Sequence, residues 1–156
     1  VTKTVAKISP QKQLGIFLDR YEPAIAALGR AALAKMSERL PGAVQLVYDN
    51  YNALVIGFGP NERASDALFS IALYPRWVNL FFLYGAFLPD PDKLLEGSGK
   101  QVRSIRLKDT ATLNEAPVQA LIAAALRQSD VPFDTAVPTR IVIKSISDKQ
   151  RPRRPR

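Results

Sequence analysis

Residues 71–107 read IALYPRWVNLFFLYGAFLPDPDKLLEGSGKQVRSIRL. Two apolar runs, about Ala67–Tyr74 and Trp77–Tyr84, meet here with only Pro75 and Arg76 between them. A two-residue spacer leaves room for nothing but a tight reversal, so the pair reads as an antiparallel hairpin. In the second run Trp77, Asn79, Phe81 and Leu83 share one face, while Val78, Leu80, Phe82 and Tyr84 share the other. All but Asn79 are aromatic or aliphatic. A strand apolar on both faces is central, or is covered on its second side by a helix or a second copy of the chain, so the pattern admits a homodimer. Gly85 then marks a bulge or bend.

Beyond Leu88 the chain turns polar: Pro89-Asp90-Pro91-Asp92, then Leu94, Leu95 and Glu96, then Gly97-Ser98-Gly99-Lys100. The next strand is expected over Val102–Leu107. If Ile105 and Leu107 face the core, alternation puts Arg103 on the same inward face at the end nearest the loop. An inward guanidinium needs a partner, and Asp90, Asp92 and Glu96 are the nearest carboxylates in sequence. Two readings follow. Either the arginine clamps the loop to the sheet, or Lys100, Arg103 and the backbone N–H groups of Gly97–Gly99 form a polar pocket for a small anion. The string GSGK is not a phosphate-binding P-loop. Leu94 stands where that motif needs its first glycine, Gln101 stands where it needs Ser or Thr, and a strand follows rather than a helix.

Working outward, Ser9 and Pro10 form a helix start, and Leu14, Phe17, Leu18 and Tyr21 recur at helical spacing. Val1–Ile8 before it is expected to be loose. Pro23 separates this helix from a second, whose stripe is Ile25, Leu28, Ala32, Leu33, Met36 and Leu40, stopped by Pro41-Gly42. Val44–Asp49 alternates as a half-buried strand, Asp49–Asn52 supplies a turn, and Leu54, Ile56 and Phe58 begin the next strand. Tyr48, Asn50 and Tyr51 could line a pocket with Trp77 and Tyr84, although turn chemistry and core packing account for the same residues. A helix capped by Asn114 and running to about Gln128 buries Val118, Leu121, Ile122, Ala125 and Leu126. After an extended Val131–Thr139 connector, Arg140–Ser147 reads as a strand that Lys144 marks as an edge.

Composition bounds the chemistry. The 156 residues are 47% hydrophobic, ample for one core, with no apolar window of membrane-spanning length and no signal-peptide pattern, so a cytoplasmic domain is expected. There is neither cysteine nor histidine. The usual zinc, haem and iron–sulfur ligand sets are therefore missing, as are Ser-His and Cys-His nucleophile pairs, and a binding role is favoured over an enzyme. Most of the +8 formal charge falls after Thr139, where Arg140, Lys144, Lys149, Arg151, Arg153, Arg154 and Arg156 face one acid, Asp148. The terminal KQRPRRPR, broken twice by proline, is expected to be a solvated arm; it could contact nucleic-acid phosphates, although no aromatic is interleaved with its charges.

The order Gly85, Leu88, Asp90-Pro91, Leu95, Gly97, Gly99-Lys100, Arg103, Ile105 resembles the YdhG-like family of uncharacterised domains. The likeness is most specific over about 74–107 and extends more loosely over about 11–129. It implies an α+β fold likened to frataxin, and one bacterial member is named as an intracellular iron chaperone. Members often carry a Tyr-x-Met-Pro type segment after the first strand, from which Tyr48–Ala53 departs here. The two early helices hold only Asp19, Glu22 and Glu38 among five basic residues, where frataxin-type iron binding needs an acidic face.

The expectation is thus an α+β domain over residues 1–147, with an antiparallel sheet of five or six strands packed by two N-terminal helices and one later helix, and a basic proline-rich tail over 148–156. Its expected function is non-catalytic small-ligand binding or carriage, without cofactor or metal, using Asp90, Asp92, Gly97, Ser98, Gly99, Lys100 and Arg103, with Trp77 and Tyr84 as an apolar wall. The alternatives are an iron chaperone using Asp90, Asp92 and Glu96, and a nucleic-acid accessory protein using the tail.

Overall fold

Ser9 starts the first helix, α1 (Pro10–Asp19), by accepting a hydrogen bond from the Lys12 N–H at 3.2 Å. This is the capping expected when a hydroxyl precedes proline at the first helical position. The computed structural model describes residues 8–155, so Val1–Ile8, apart from Ile8, lies outside the described residues, as does Arg156. Helix α2 (Pro23–Arg39) follows after one turn, with Ala26, Gly29, Ala32, Leu33 and Met36 buried and Ile25 and Leu28 packed at the core's edge.

The strands are β1 (Val44–Asp49), β2 (Leu54–Gly59), β3 (Phe69–Leu73), β4 (Val78–Phe82), β5 (Arg103–Leu107) and β6 (Arg140–Ile146), with α3 (Ala116–Gln128) between the last two. Among the described residues they form one six-stranded sheet in the order β5-β4-β3-β2-β1-β6. The hairpin at Pro75-Arg76 forms as read, closed by the Tyr74 N–H donating to the Trp77 carbonyl at 2.9 Å. Inward residues of the sheet (Val47, Leu54, Ile56, Phe58, Phe69, Ile71, Leu73, Val78, Leu80, Phe82, Ile105, Leu107) join the stripes of all three helices in a single apolar cluster. The fold is therefore α+β, a six-stranded sheet packed by helices.

Two expectations need correction. The sheet is antiparallel except at one edge, where β6 runs parallel to β1, with a register shift at Val47/Tyr48. A parallel neighbour needs a crossover rather than a hairpin. Everything between β5 and β6, including α3 and a long connector, provides it. Asn114 does not cap α3. It ends a 3₁₀ turn (Thr110–Asn114), and the helix starts from Glu115 with proline in its first turn.

Tyr21, just past α1, ties the helical layer to the sheet. Its hydroxyl donates to the Leu73 carbonyl at 2.8 Å and accepts from the Leu54 N–H at 3.1 Å. Burial pushes this phenol above its ordinary value, and the nearby Arg153 cation only partly opposes the shift. In the unfolded chain the phenol ionises near pH ~10, whereas in the fold it holds its proton to higher pH. The native state then binds more protons than the unfolded state, so stability falls as pH rises past about 10 through the folded value. Tyr21→Phe should flatten that alkaline decline. At pH 7 it should cost about 1–3 kcal/mol, because the Leu54 N–H loses its acceptor. Urea melts at pH 7 and at about pH 10.5, just above the value of a free phenol, check both; an unchanged alkaline slope would contradict the assignment.

Candidate functional site

The 89–103 loop does not assemble as an anion pocket. Register puts Arg103 opposite Phe82, as Ile105 is opposite Leu80 and Leu107 opposite Val78, so its inward face is as read. Its guanidinium turns back at the strand end, however, and donates to the carbonyls of Gly99 (2.7 Å) and Val102 (2.8 Å). No carboxylate among the described residues forms an ion pair with it. Asp90 is occupied otherwise, since its two oxygens accept from the N–H groups of Leu94 and Leu95 at 2.9 Å each. This is a local Asx-type closure that shapes the loop. Glu96 bridges Ser104 through backbone bonds, and Asp92, Ser98, Gly99 and Lys100 are exposed.

The glycines here serve packing. A Cβ at Gly85 would lie 2.6 Å from that of Arg103, which explains the bend after β4, and Gly97 sits at φ +133° against the Arg103 side chain. The arginine therefore clamps its own loop. The iron alternative meets the same geometry: among the described residues no three acidic side chains gather as a metal site.

Trp77 and Tyr84 do not share a wall either, because they flank opposite ends of β4. Tyr84, whose hydroxyl donates to the Ser65 carbonyl at 2.8 Å, lines a cleft of about 260 Å³ between the end of α3 and the loops around η1 (Ala64–Asp66) and η2 (Gly85–Phe87). Leu68, Phe82, Phe87, Leu88 and Ala125 give it apolar walls, and Asp66 and Asp130 its carboxylates, of which Asp66 also accepts from the Asn61 amide at 3.0 Å and pairs with Arg63 at 3.7 Å. No lysine or arginine among the described residues lines it. Trp77 belongs instead to open grooves at the far end of the sheet.

The sequence reading missed a charge cluster altogether. Asp49 falls on the inward face of β1 beside Val47 and is 1% exposed, while Arg153, expected in a solvated arm, is 4% exposed. The two form an ion pair at 2.9 Å, and Arg153 also donates to the Asn50 and Tyr51 carbonyls, with its cation 5.9 Å from the centre of the Tyr21 ring. Arg20 (3.2 Å) and Gln150 (2.9 Å) complete the contacts to Asp49. Proline does exclude helix and ladder from this segment, but that does not leave it in water: the Arg151 N–H donates to the Tyr51 carbonyl at 2.9 Å, and Arg154 donates to the carbonyls of Asp19 and Arg20 at the end of α1. Alternation hides this position: Val44, Leu46 and Tyr48 are the more apolar set of a strand read as half-buried, yet β1 is buried on both faces and it is Gln45, Val47 and Asp49 that turn towards the helices.

No protein-family model, curated protein or solved structure matches the chain. No helix among the described residues is long and apolar enough to cross a membrane.

Proposed function

We propose that this chain is a non-catalytic, cytoplasmic domain that binds or carries a small molecule, of the kind its resemblance to the YdhG-like family implies, and that the ligand sits in the cleft beside Tyr84. The observation that carries the reading is the pairing of apolar walls with the Asp130 carboxylate, which forms no ion pair among the described residues, whereas Asp66 already shares its charge with Arg63. Concave, mostly apolar sites with a few placed polar groups are where small ligands bind. The α3 C-terminus, with its partial negative charge, ends at the same place through Gln128 and Ser129. A small organic cation with an apolar body fits this chemistry. The anion expected from Lys100 and Arg103 does not. The absence of histidine and cysteine supports a binding role over acid–base or nucleophilic catalysis.

Benzylammonium, benzyl alcohol and benzoate, titrated separately while backbone amide shifts are followed, test this. Benzylammonium should move the amides around 65–68, 84–88 and 125–131 and bind tightest. Asp130→Asn should weaken it about tenfold, ~1.4 kcal/mol, without altering the fold. Equal binding of benzoate, or shifts confined to other regions, would refute the proposal.

A further inference from the structure

The buried Arg153 fixes the C-terminal segment against the sheet, and this places its exposed arginines beside aromatic rings far away in sequence. Arg151 stands over the Tyr51 ring at 5.6 Å, and Tyr51 is 49% exposed. Arg151, Pro152 and Arg154 line an open groove of about 630 Å³ together with Asn52, Tyr74 and Trp77. The Trp77 and Tyr74 rings lie 5.6 Å apart, and Arg106 sits over the indole at 4.6 Å. On its other side Trp77 borders a second groove, of about 670 Å³, to which Arg76, Arg106 and Lys108 contribute. Across the two grooves five cations meet one lining carboxylate among the described residues, Asp109, and that carboxylate accepts a hydrogen bond from the Thr112 N–H.

We infer that this Trp77-centred band is a binding surface for single-stranded nucleic acid. Arginines at the rims attract phosphates, and aromatic faces between them stack on bases regardless of sequence. Neither component would suffice alone. A basic arm without rings binds any polyanion, whereas rings without cations give no long-range attraction. The cleft beside Tyr84 lies at the opposite end of β4, so this surface is independent of the small-ligand reading.

Trp77 is the chain's single tryptophan and reports directly on stacking. The full-length protein is titrated with an oligothymidylate of about 12 nucleotides. Indole fluorescence should be quenched at low salt, and the observed affinity should fall with salt by about 0.7 log unit per log unit of salt for each phosphate contacted. Arg106→Gln and Arg151→Gln, both at exposed side chains, should each lower that slope by about 0.7, and Arg76→Gln in the hairpin turn provides a third variant remote from the core. An absence of quenching at low salt would overturn the inference. So would inorganic polyphosphate or phosphatidylglycerol vesicles quenching Trp77 as strongly as the oligonucleotide, since the surface would then read charge or membrane rather than bases.

Discussion

Replacing Asp49 by alanine should destabilise the fold by about 3–5 kcal/mol, the cost of leaving a buried guanidinium without its counter-charge. Arg153 is nearly inaccessible, and Asp49 is its sole carboxylate partner among the described residues. Its remaining acceptors are neutral carbonyls of the 50–51 turn. Arg153→Met removes the other half and should cost less, because Asp49 keeps Arg20, which is 45% exposed, and the Gln150 amide. A buried pair replaced together by apolar groups of similar size loses the desolvation cost along with the attraction, so Asp49→Leu combined with Arg153→Met should recover most of the loss. Truncation after Lys149 provides an independent comparison. If the segment were an arm in water, its removal would leave the urea midpoint unchanged; as a docked segment, its loss should lower the midpoint, and 1 M salt should not mimic that effect, because buried pairs are poorly screened. Urea denaturation of Asp49→Ala, Asp49→Leu, Arg153→Met, the Asp49→Leu/Arg153→Met double variant and the truncated chain, each against the unaltered protein, measures all of this, and additive effects of the two singles in the double would exclude a coupled pair.

The same contrast shows what the sequence could and could not convey. Helical stripes such as Leu14, Phe17 and Leu18 and the two-residue reversal at Pro75-Arg76 are local patterns, and both appear where their spacing puts them. Arg103 is an intermediate case. Alternation identified its face correctly, but a long side chain at the first position of a strand can turn back over the preceding loop, and the acceptors it found are carbonyls within four residues rather than the loop's carboxylates. Arg153 was illegible because its partner lies 104 residues away and because proline content speaks only to regular structure, not to burial. The direction of β6 was hidden for a similar reason. Lys144 marks an edge, yet an edge strand can pair either way, and the choice depends on the path of the crossover.

That path gives the second large effect. Gly42→Ala should cost about 2–5 kcal/mol, combining a left-handed backbone that alanine resists with a collision it cannot avoid. Gly42 has φ +81°, and a Cβ there would overlap the carbonyl oxygen of Asp134 and come within 3.2 Å of the Thr135 Cα. Both obstacles are backbone, so no rotamer change relieves them. The Asp134 turn has bonds of its own to keep, with its carboxylate accepting from the Ala136 N–H at 3.0 Å. Gly42 is thus where the exit from α2 passes under the connector that delivers β6 to β1. Displacing the connector should loosen the β1/β6 pairing and, through it, the seating of Arg153. Gly15→Ala gives the opposite sign for the same chemical change. Gly15 lies within α1, where an added Cβ would meet nothing within 4 Å beyond its chain neighbours and the helix's own backbone, so alanine there should stabilise by about 0.5–1 kcal/mol through helix propensity. Amide exchange separates local from global effects: Gly42→Ala should raise exchange in β6 and at Arg151 more than in β3 and β4. Uniform acceleration across the sheet would show that the connector merely adds to overall stability and does not hold the edge strand in place.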